Sequence, residues 1–254
     1  MDTIKLGKKQ TLMVAHAGLQ GLESANTAAG FIAAGNRSYW GVECDVRMAK
    51  DGAVIIHNDS TQGASPLALS VSQSTVEQLQ AIALYDRPFF YGMEAFGLMP
   101  AGNGVRADLR IPTLQEYIHI CKHYDKVCVP ELKHPMDAES IAYIARCFAE
   151  QDYVENTVFI SFYRENLAQI RKHFPRCRVQ YLTDEKQEFT DAFLDEMAAL
   201  GYDLDIHIFT TTKELVERIH ARGIKVNVWT CDWADRAEQL LSWGVDYITS
   251  NIFE

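Results

Sequence analysis

The sequence predicts an α/β protein of the (β/α)8 TIM-type barrel class, with a β-hairpin and a small insertion after the second strand. Short apolar, β-rich runs recur along the whole chain. Between most of them lie segments with apolar side chains near a 3.6-residue period, as in 191–200 and 212–223. Strand–helix alternation of this kind implies a parallel sheet. Eight such units suit a closed barrel, which takes about 250 residues. The chain has 254, so a single barrel domain is expected over residues 1–254.

The runs are 12–16, 41–46, 126–131, 157–161, 177–182, 203–208, 225–230 and 246–249. Several are apolar almost throughout, as strands covered on both faces are. A ninth run, 53–57, follows the second too closely for a helix to intervene. Its connection, Lys50-Asp51-Gly52, reads as a three-residue hairpin loop ending in glycine. Pairing of Ala49 with Ala53 would set His57 opposite Asp45, on the same face. Residues 58–112 lack the repeat rhythm and read as an insertion over one barrel mouth. They hold one helix beginning after Ser74 or Thr75, either of which suits a cap. A loop is expected at Ala101-Gly102-Asn103-Gly104. Its Gly-x-Gly has no βαβ context and is no dinucleotide fingerprint.

Composition removes several classes of function. The net charge of −10 argues against nucleic acid, whose backbone demands clustered Lys and Arg. It leaves room for a small anionic substrate held by a metal ion and one or two local cations. The six cysteines form no C-x-x-C pair, which argues against zinc and thiol redox chemistry. They read as small buried apolar groups in a reducing compartment. The sequence shows no secretory signal and no run of eighteen apolar residues, so no membrane span and a cytoplasmic location are expected. Asn36-Arg37-Ser38 and Asn58-Asp59-Ser60 then match the glycosylation pattern by chance. No motif sets an oligomeric state.

Catalytic groups in such a barrel sit at the carboxyl ends of the strands. His16 ends the first strand. Glu43 and Asp45 end the second and share a face, with Cys44 turned the other way. Two carboxylates on one face of an apolar strand would repel, and a bound cation removes that cost. Glu131 and Lys133 share a face at the end of the third strand. All-oxygen ligation favours a hard divalent cation, Mg²⁺ or Ca²⁺. Taken singly, His16 reads as a structural histidine, Glu43-Cys44-Asp45 as a solvated strand end, and Glu131 with Lys133 as a rim ion pair. Their conjunction at three successive strand ends points to chemistry.

At these residues the sequence resembles the glycerophosphodiester phosphodiesterase family. The likeness runs from Ala15 to the C-terminus through His16-x-Gly18, Asn26-Thr27, Glu43-Cys44-Asp45-Val46, Lys50-Asp51-Gly52, His57, Ile111-Pro112-Thr113-Leu114, Glu131-Leu132-Lys133, Ser161-Phe162, Val228-Trp229-Thr230 and Gly244-Val245-Asp246. The resemblance implies hydrolysis of small glycerophosphodiesters to sn-glycerol 3-phosphate and an alcohol. It implies a metal on Glu43, Asp45 and Glu131, an acid–base pair of His16 and His57, and Lys133 on the phosphate. Phe162 and Trp229 would line the site; their other reading is barrel core. Where the family has Arg after the first histidine this chain has Ala17. Its Pro-Glu-Asn-Thr reads Ser24-Ala25-Asn26-Thr27, and its His-Asp reads His57-Asn58. Ala17 and Ala25 together remove one cation and one anion, which suggests a paired change and a different head group. Competing readings are a phospholipase D-like enzyme, a binding protein on an inactive barrel, and a sugar isomerase, since fold does not fix function.

Overall fold

A computed structural model describes residues 2–7, 10–93, 104–184 and 186–254 of the chain. Eight parallel strands close into a barrel: β1 (Leu12–Ala15), β2 (Gly41–Met48), β6 (Val127–Leu132), β7 (Val158–Ser161), β8 (Arg178–Thr183), β9 (Asp203–His207), β10 (Val226–Trp229) and β11 (Tyr247–Ser250). They neighbour one another in chain order, and β1 closes the ring by pairing with both β11 and β2. Helices α1 (Ala28–Gly35), α3 (Leu114–His123), α4 (Ala138–Glu150), α5 (Arg164–His173), α6 (Asp191–Leu200), α7 (Lys213–His220) and α8 (Ala234–Trp243) occupy the connections.

Local chemistry starts the helices where the strands need them. Thr27, Thr113, Asp137, Thr190 and Thr212 each cap a helix, the side-chain oxygen accepting an N–H from the first turn. Loss of such a cap costs about 1 kcal/mol. Alternation along the strands then builds two layers. Outward residues such as Cys44, Phe159, Ile206 and Val228 pack with helix residues including Phe31, Tyr117 and Ile144. Val14, Val129, Val158, Ile160, Leu182 and Tyr247 form a separate cluster, on the alternate, inward positions of their strands. Gln180, Asn227 and Thr249 add hydrogen-bonded polar groups on β8, β10 and β11. All six cysteines are buried and unbridged, as expected. No helix of the described residues is long and apolar enough to cross a membrane.

The hairpin departs from expectation in register. Strand β3 (Ala53–Ile55) pairs antiparallel with β2 as Val46–Ile55, Arg47–Val54 and Met48–Ala53, one residue away from the Ala49–Ala53 pairing. The turn holds residues 49–52, and the Ala49 N–H donates to Gly52 O at 2.8 Å. A one-residue slip reverses every side chain in a ladder, which would send His57 to the wrong face. The ladder ends at Ile55, however, and the Ile56 N–H donates to Asp45 O at 2.9 Å. Beyond that bond alternation no longer dictates direction, and the His57 ring returns to Asp45.

Between β3 and β6 lies α2 (Val76–Gln80), with Thr75 rather than Ser74 as its cap and Gln78 completing a capping box. It ends much sooner than its apolar periodicity suggests. Two strands of two residues each, β4 (Leu84–Tyr85) and β5 (Val105–Arg106), form a separate ribbon too short for a periodic signal. Val54, Ile56, Val71, Leu79, Leu84, Leu109 and Ile111 make a third apolar cluster, joining this region to the hairpin. Residues 101–103 of the expected glycine loop lie outside the described residues.

Candidate active site

Parallel register brings the acidic residues together at one mouth. Asp45 and Glu131 are direct partners between β2 and β6, and Glu43 precedes Asp45 on the same face. Oxygens of all three lie within 4.8 Å of one another, and all three residues are buried. Cys44, between them, packs in the helix-facing layer. Lys133 Nζ stands 3.0 Å from Glu131 Oε1 and 3.3 Å from Asp45 Oδ1. One cation against three carboxylates leaves an acidic excess.

Burial, reinforced by Asp45 and Glu131, pushes the Glu43 carboxyl well above the ordinary range, against the Ala17 N–H that donates to its Oε2 at 2.6 Å. Burial and then Asp45 raise Glu131 to about 7, with Lys133 opposing. For Asp45 burial pulls the same way, but the His57 hydrogen bond and the Lys133 charge outweigh it. Its carboxyl stays well below the usual range. Glu131 Oε1, although near Lys133, lacks the geometry of a hydrogen bond. A buried acidic trio with an open oxygen and two carboxyls pressed towards protonation is the donor set a hard divalent cation satisfies. These residues fit such an ion.

Two imidazoles flank the trio. His16 follows β1, and its Nδ1 lies 2.7 Å from Asn251 Oδ1. The Asn251 amide is oriented by Asp232: Asn251 Nδ2 donates to Asp232 Oδ2 at 2.6 Å, and Asp232 Oδ1 accepts from the Asn251 N–H and the Ser250 hydroxyl. A carboxylate only accepts, so the Asn251 oxygen faces His16 and its Nδ1 carries the hydrogen. The His16 Nε2 lone pair is thereby aimed inward, 4.0 Å from Glu43 Oε2. His57 Nδ1 likewise donates to Asp45 Oδ2 at 3.1 Å. That oxygen also accepts from Asn26 Nδ2 at 2.7 Å, while the Asn26 oxygen accepts the Asp45 N–H.

A cavity of about 200 Å³ joins His16, Glu43, Asp45, His57, Glu131 and Lys133 to an apolar wall of Ile160, Phe162, Leu182 and Trp229, with Asp205 and Thr249. The Phe162 and Trp229 rings meet edge to face at 5.7 Å. Every residue given a catalytic, metal-binding or substrate-binding role from the sequence therefore borders one cavity. A second cavity, of about 380 Å³, shares His16, Asp45 and His57 and is walled by Ala17, Ser24, Ala25, Asn58 and Tyr85. A larger one of about 530 Å³ lies at the amino-terminal strand ends, on Leu12, Lys225 and Asp246, away from this cluster. Sequence reasoning missed Asp205, Asp232 and Asn251 as site residues. Asn251 directly follows β11, where the strand-end rule would have found it. Asp232, in the loop after β10, acts through Asn251 and carries no strand-end signal.

A family model described as the glycerophosphoryl diester phosphodiesterase family matches residues 16–253. The chain is 26% identical over 248 residues to a glycerophosphodiester phosphodiesterase of Caldanaerobacter subterraneus, covering 95% of this chain and 94% of that one. It is 25% identical to one from Bacillus altitudinis, covering 94% and 93%. Its fold is shared with a phosphodiesterase of Oleispira antarctica solved in complex with the product sn-glycerol-3-phosphate. The TM-score there is 0.79, at 24% identity over 95% of this chain and 93% of that one. A glycerophosphodiester phosphodiesterase of Thermotoga maritima matches with a TM-score of 0.73, at 19% identity over 96% of each chain. The match across nearly the whole barrel shows that this chain belongs to the glycerophosphoryl diester phosphodiesterase family.

Proposed function

We propose that the protein is a divalent-metal-dependent phosphodiester hydrolase acting on glycerophosphodiesters, with residues 1–254 working as one barrel. The observation that carries this reading is the buried Glu43–Asp45–Glu131 trio, set beside two imidazoles whose Nδ1 atoms are both engaged. Family membership supports it, as does the sn-glycerol-3-phosphate held by the Oleispira antarctica phosphodiesterase. Six unbridged cysteines suit a reducing, cytoplasmic setting.

Glu43, Asp45 and Glu131 would hold Mg²⁺ or Ca²⁺. Such an ion supplies Lewis-acid polarisation of a non-bridging phosphate oxygen. Lys133 places a fixed positive charge at the same mouth, where the transition state is most anionic. The two histidines differ in their partners, and this supports different roles for them. His16 is held by a neutral amide and presents the Nε2 lone pair, so it accepts the proton of the attacking hydroxyl as the new O–P bond forms. A positive charge on the His57 ring is compensated by Asp45. Its Nε2–H then protonates the alkoxide as the old P–O bond breaks. Diester and water become sn-glycerol 3-phosphate and an alcohol. The His57 side chain is 64% exposed, which lets its proton be replaced from solvent after each turnover.

The test is hydrolysis of a diester panel led by glycerophosphocholine, with Mg²⁺, Ca²⁺ or EDTA. Metal-dependent release of phosphomonoester is expected, and His16→Ala should lower kcat by about 10²–10⁴-fold. No cleavage with any metal, or full activity in His16→Ala, would remove the reading. Binding without cleavage would favour the inactive-barrel alternative. The 380 Å³ cavity on Ala17 and Ala25 supports a head group different from that of relatives carrying Arg and Glu there.

A further inference from the structure

Across the barrel from Glu43 and Asp45 stands a fourth acid outside the metal trio. Strand β9 is four places round the ring from β2, so Asp205 faces the trio through the width of the barrel. It is 1% exposed and lines the same 200 Å³ cavity. Burial pushes its carboxyl well above the ordinary range, and Oδ1 has no hydrogen-bond partner. The nearby walls are Ile160, Phe162, Leu182 and Trp229, and Trp229 Nε1 donates to the Asp205 main-chain oxygen at 3.3 Å. An enclosed oxygen of this kind, set beside an apolar wall and lining the reaction cavity, is unfavourable unless a ligand completes it.

We propose that Asp205 binds a hydroxyl group of the substrate's glycerol arm and thereby selects polyol phosphodiesters over alkyl ones. The inference rests on the phosphodiesterase reading above and adds to it the residue that recognises the glycerol arm. The cavity itself argues for a hydroxyl. One open oxygen is satisfied by one O–H. A primary ammonium brings three N–H groups, and those left over would face Ile160, Leu182 and Trp229. A quaternary ammonium brings no donor at all. With the phosphate at the trio and Lys133, the carbon chain lies against Phe162, Leu182 and Trp229, and its hydroxyl reaches the far wall at Asp205. Gln180 and Thr249 are each already hydrogen-bonded to Asn227, which leaves Asp205 as the polar group offered to the ligand.

A matched substrate pair tests this directly: glycerophosphocholine and n-propylphosphocholine, which share phosphate and choline and differ only in the glycerol hydroxyls. Wild-type protein should prefer the former in kcat/KM by about 10–100-fold, the range for leaving one buried hydrogen-bonding group unmatched. In Asp205→Leu that ratio should collapse towards one, whatever the loss on either substrate alone. Asp205→Asn keeps a polar group at the wall and should retain most of the preference. Asp205→Ala serves if leucine overfills the cavity, with thermal melts reporting the fold of each variant. A wild-type ratio near one, or a ratio unchanged in both truncations, overturns the role. Calorimetric binding of sn-glycerol 3-phosphate against propyl phosphate repeats the comparison without turnover. A preference abolished by Asp205→Leu there supports the role even if neither diester is cleaved. Equal affinities in the wild type refute it even if both are.

Discussion

Ala17 and Ala25 lie on one wall of the 380 Å³ cavity, which shares His16, Asp45 and His57 with the reaction site. The two changes thus remove opposite charges from one place. Removing both partners of a buried pair is nearly neutral, whereas removing one strands the other. The double variant Ala17→Arg, Ala25→Glu should shift the relative kcat/KM across a panel of head groups by about tenfold. Each single variant should melt lower than the double. An unchanged preference would show that this wall does not read the head group. At this scale much of the site was legible. Strand alternation put Glu43 with Asp45 and turned Cys44 outward, and the strand-end rule found His16, Glu131 and Lys133. Asp205 was not legible, because from sequence it is one acid in a strand that also holds Asp203 and His207. Only closure of the barrel shows that it faces the trio.

Elements place these residues through a few tight contacts. The loop after β1 must pass under the chain that leaves β11, and Gly21 is where they touch: its N–H donates to Asn251 O at 2.8 Å. A Cβ added at Gly21 would sit 2.3 Å from that oxygen. The backbone would have to move, taking with it the amide that fixes the His16 tautomer. Gly21→Ala should cost about 1–3 kcal/mol of stability and lower kcat more than KM, measured by denaturant melts and steady-state kinetics on glycerophosphocholine. Wild-type kinetics in a destabilised variant would separate Asn251 from the chemistry. The hairpin shows how far elements can be read in advance. Its existence followed from spacing and from Gly52. Its register did not, because a turn of three residues and one of four fit the same sequence. His57 reaches Asp45 because β3 stops at Ile55, a boundary that no residue signal marks.

On the scale of the whole molecule, the barrel concentrates acid in its own interior, and this couples folding to pH and to metal. Glu131 ionises near 7 in the folded chain against an ordinary 4.5, and Glu43 is raised as well. Between those values the folded, metal-free protein holds protons that the unfolded chain has lost. Its stability therefore falls as pH rises from about 4.5 to 7, and Glu43 carries the fall in the same direction. Asp45, shifted the other way, contributes stability that is lost only under more acidic conditions. A cation competes with the protons on Glu43 and Glu131. Added Ca²⁺ or Mg²⁺ should then raise Tm more at pH 8 than at pH 5, measured by calorimetry against EDTA. A gain independent of pH would mean that the ion binds elsewhere. The barrel class was readable because eight βα units fill the chain. The path of residues 58–112 was not, since two-residue strands and a five-residue helix leave little periodic trace.

The most direct test of the account is a crystal soaked in Mn²⁺ and measured at the manganese absorption edge. A divalent ion held by the trio gives one dominant anomalous peak, within about 2.0–2.6 Å of oxygens from Glu43, Asp45 and Glu131 together, lost in Glu131→Gln. A peak elsewhere, or none while the protein still cleaves glycerophosphodiesters in EDTA, would contradict it.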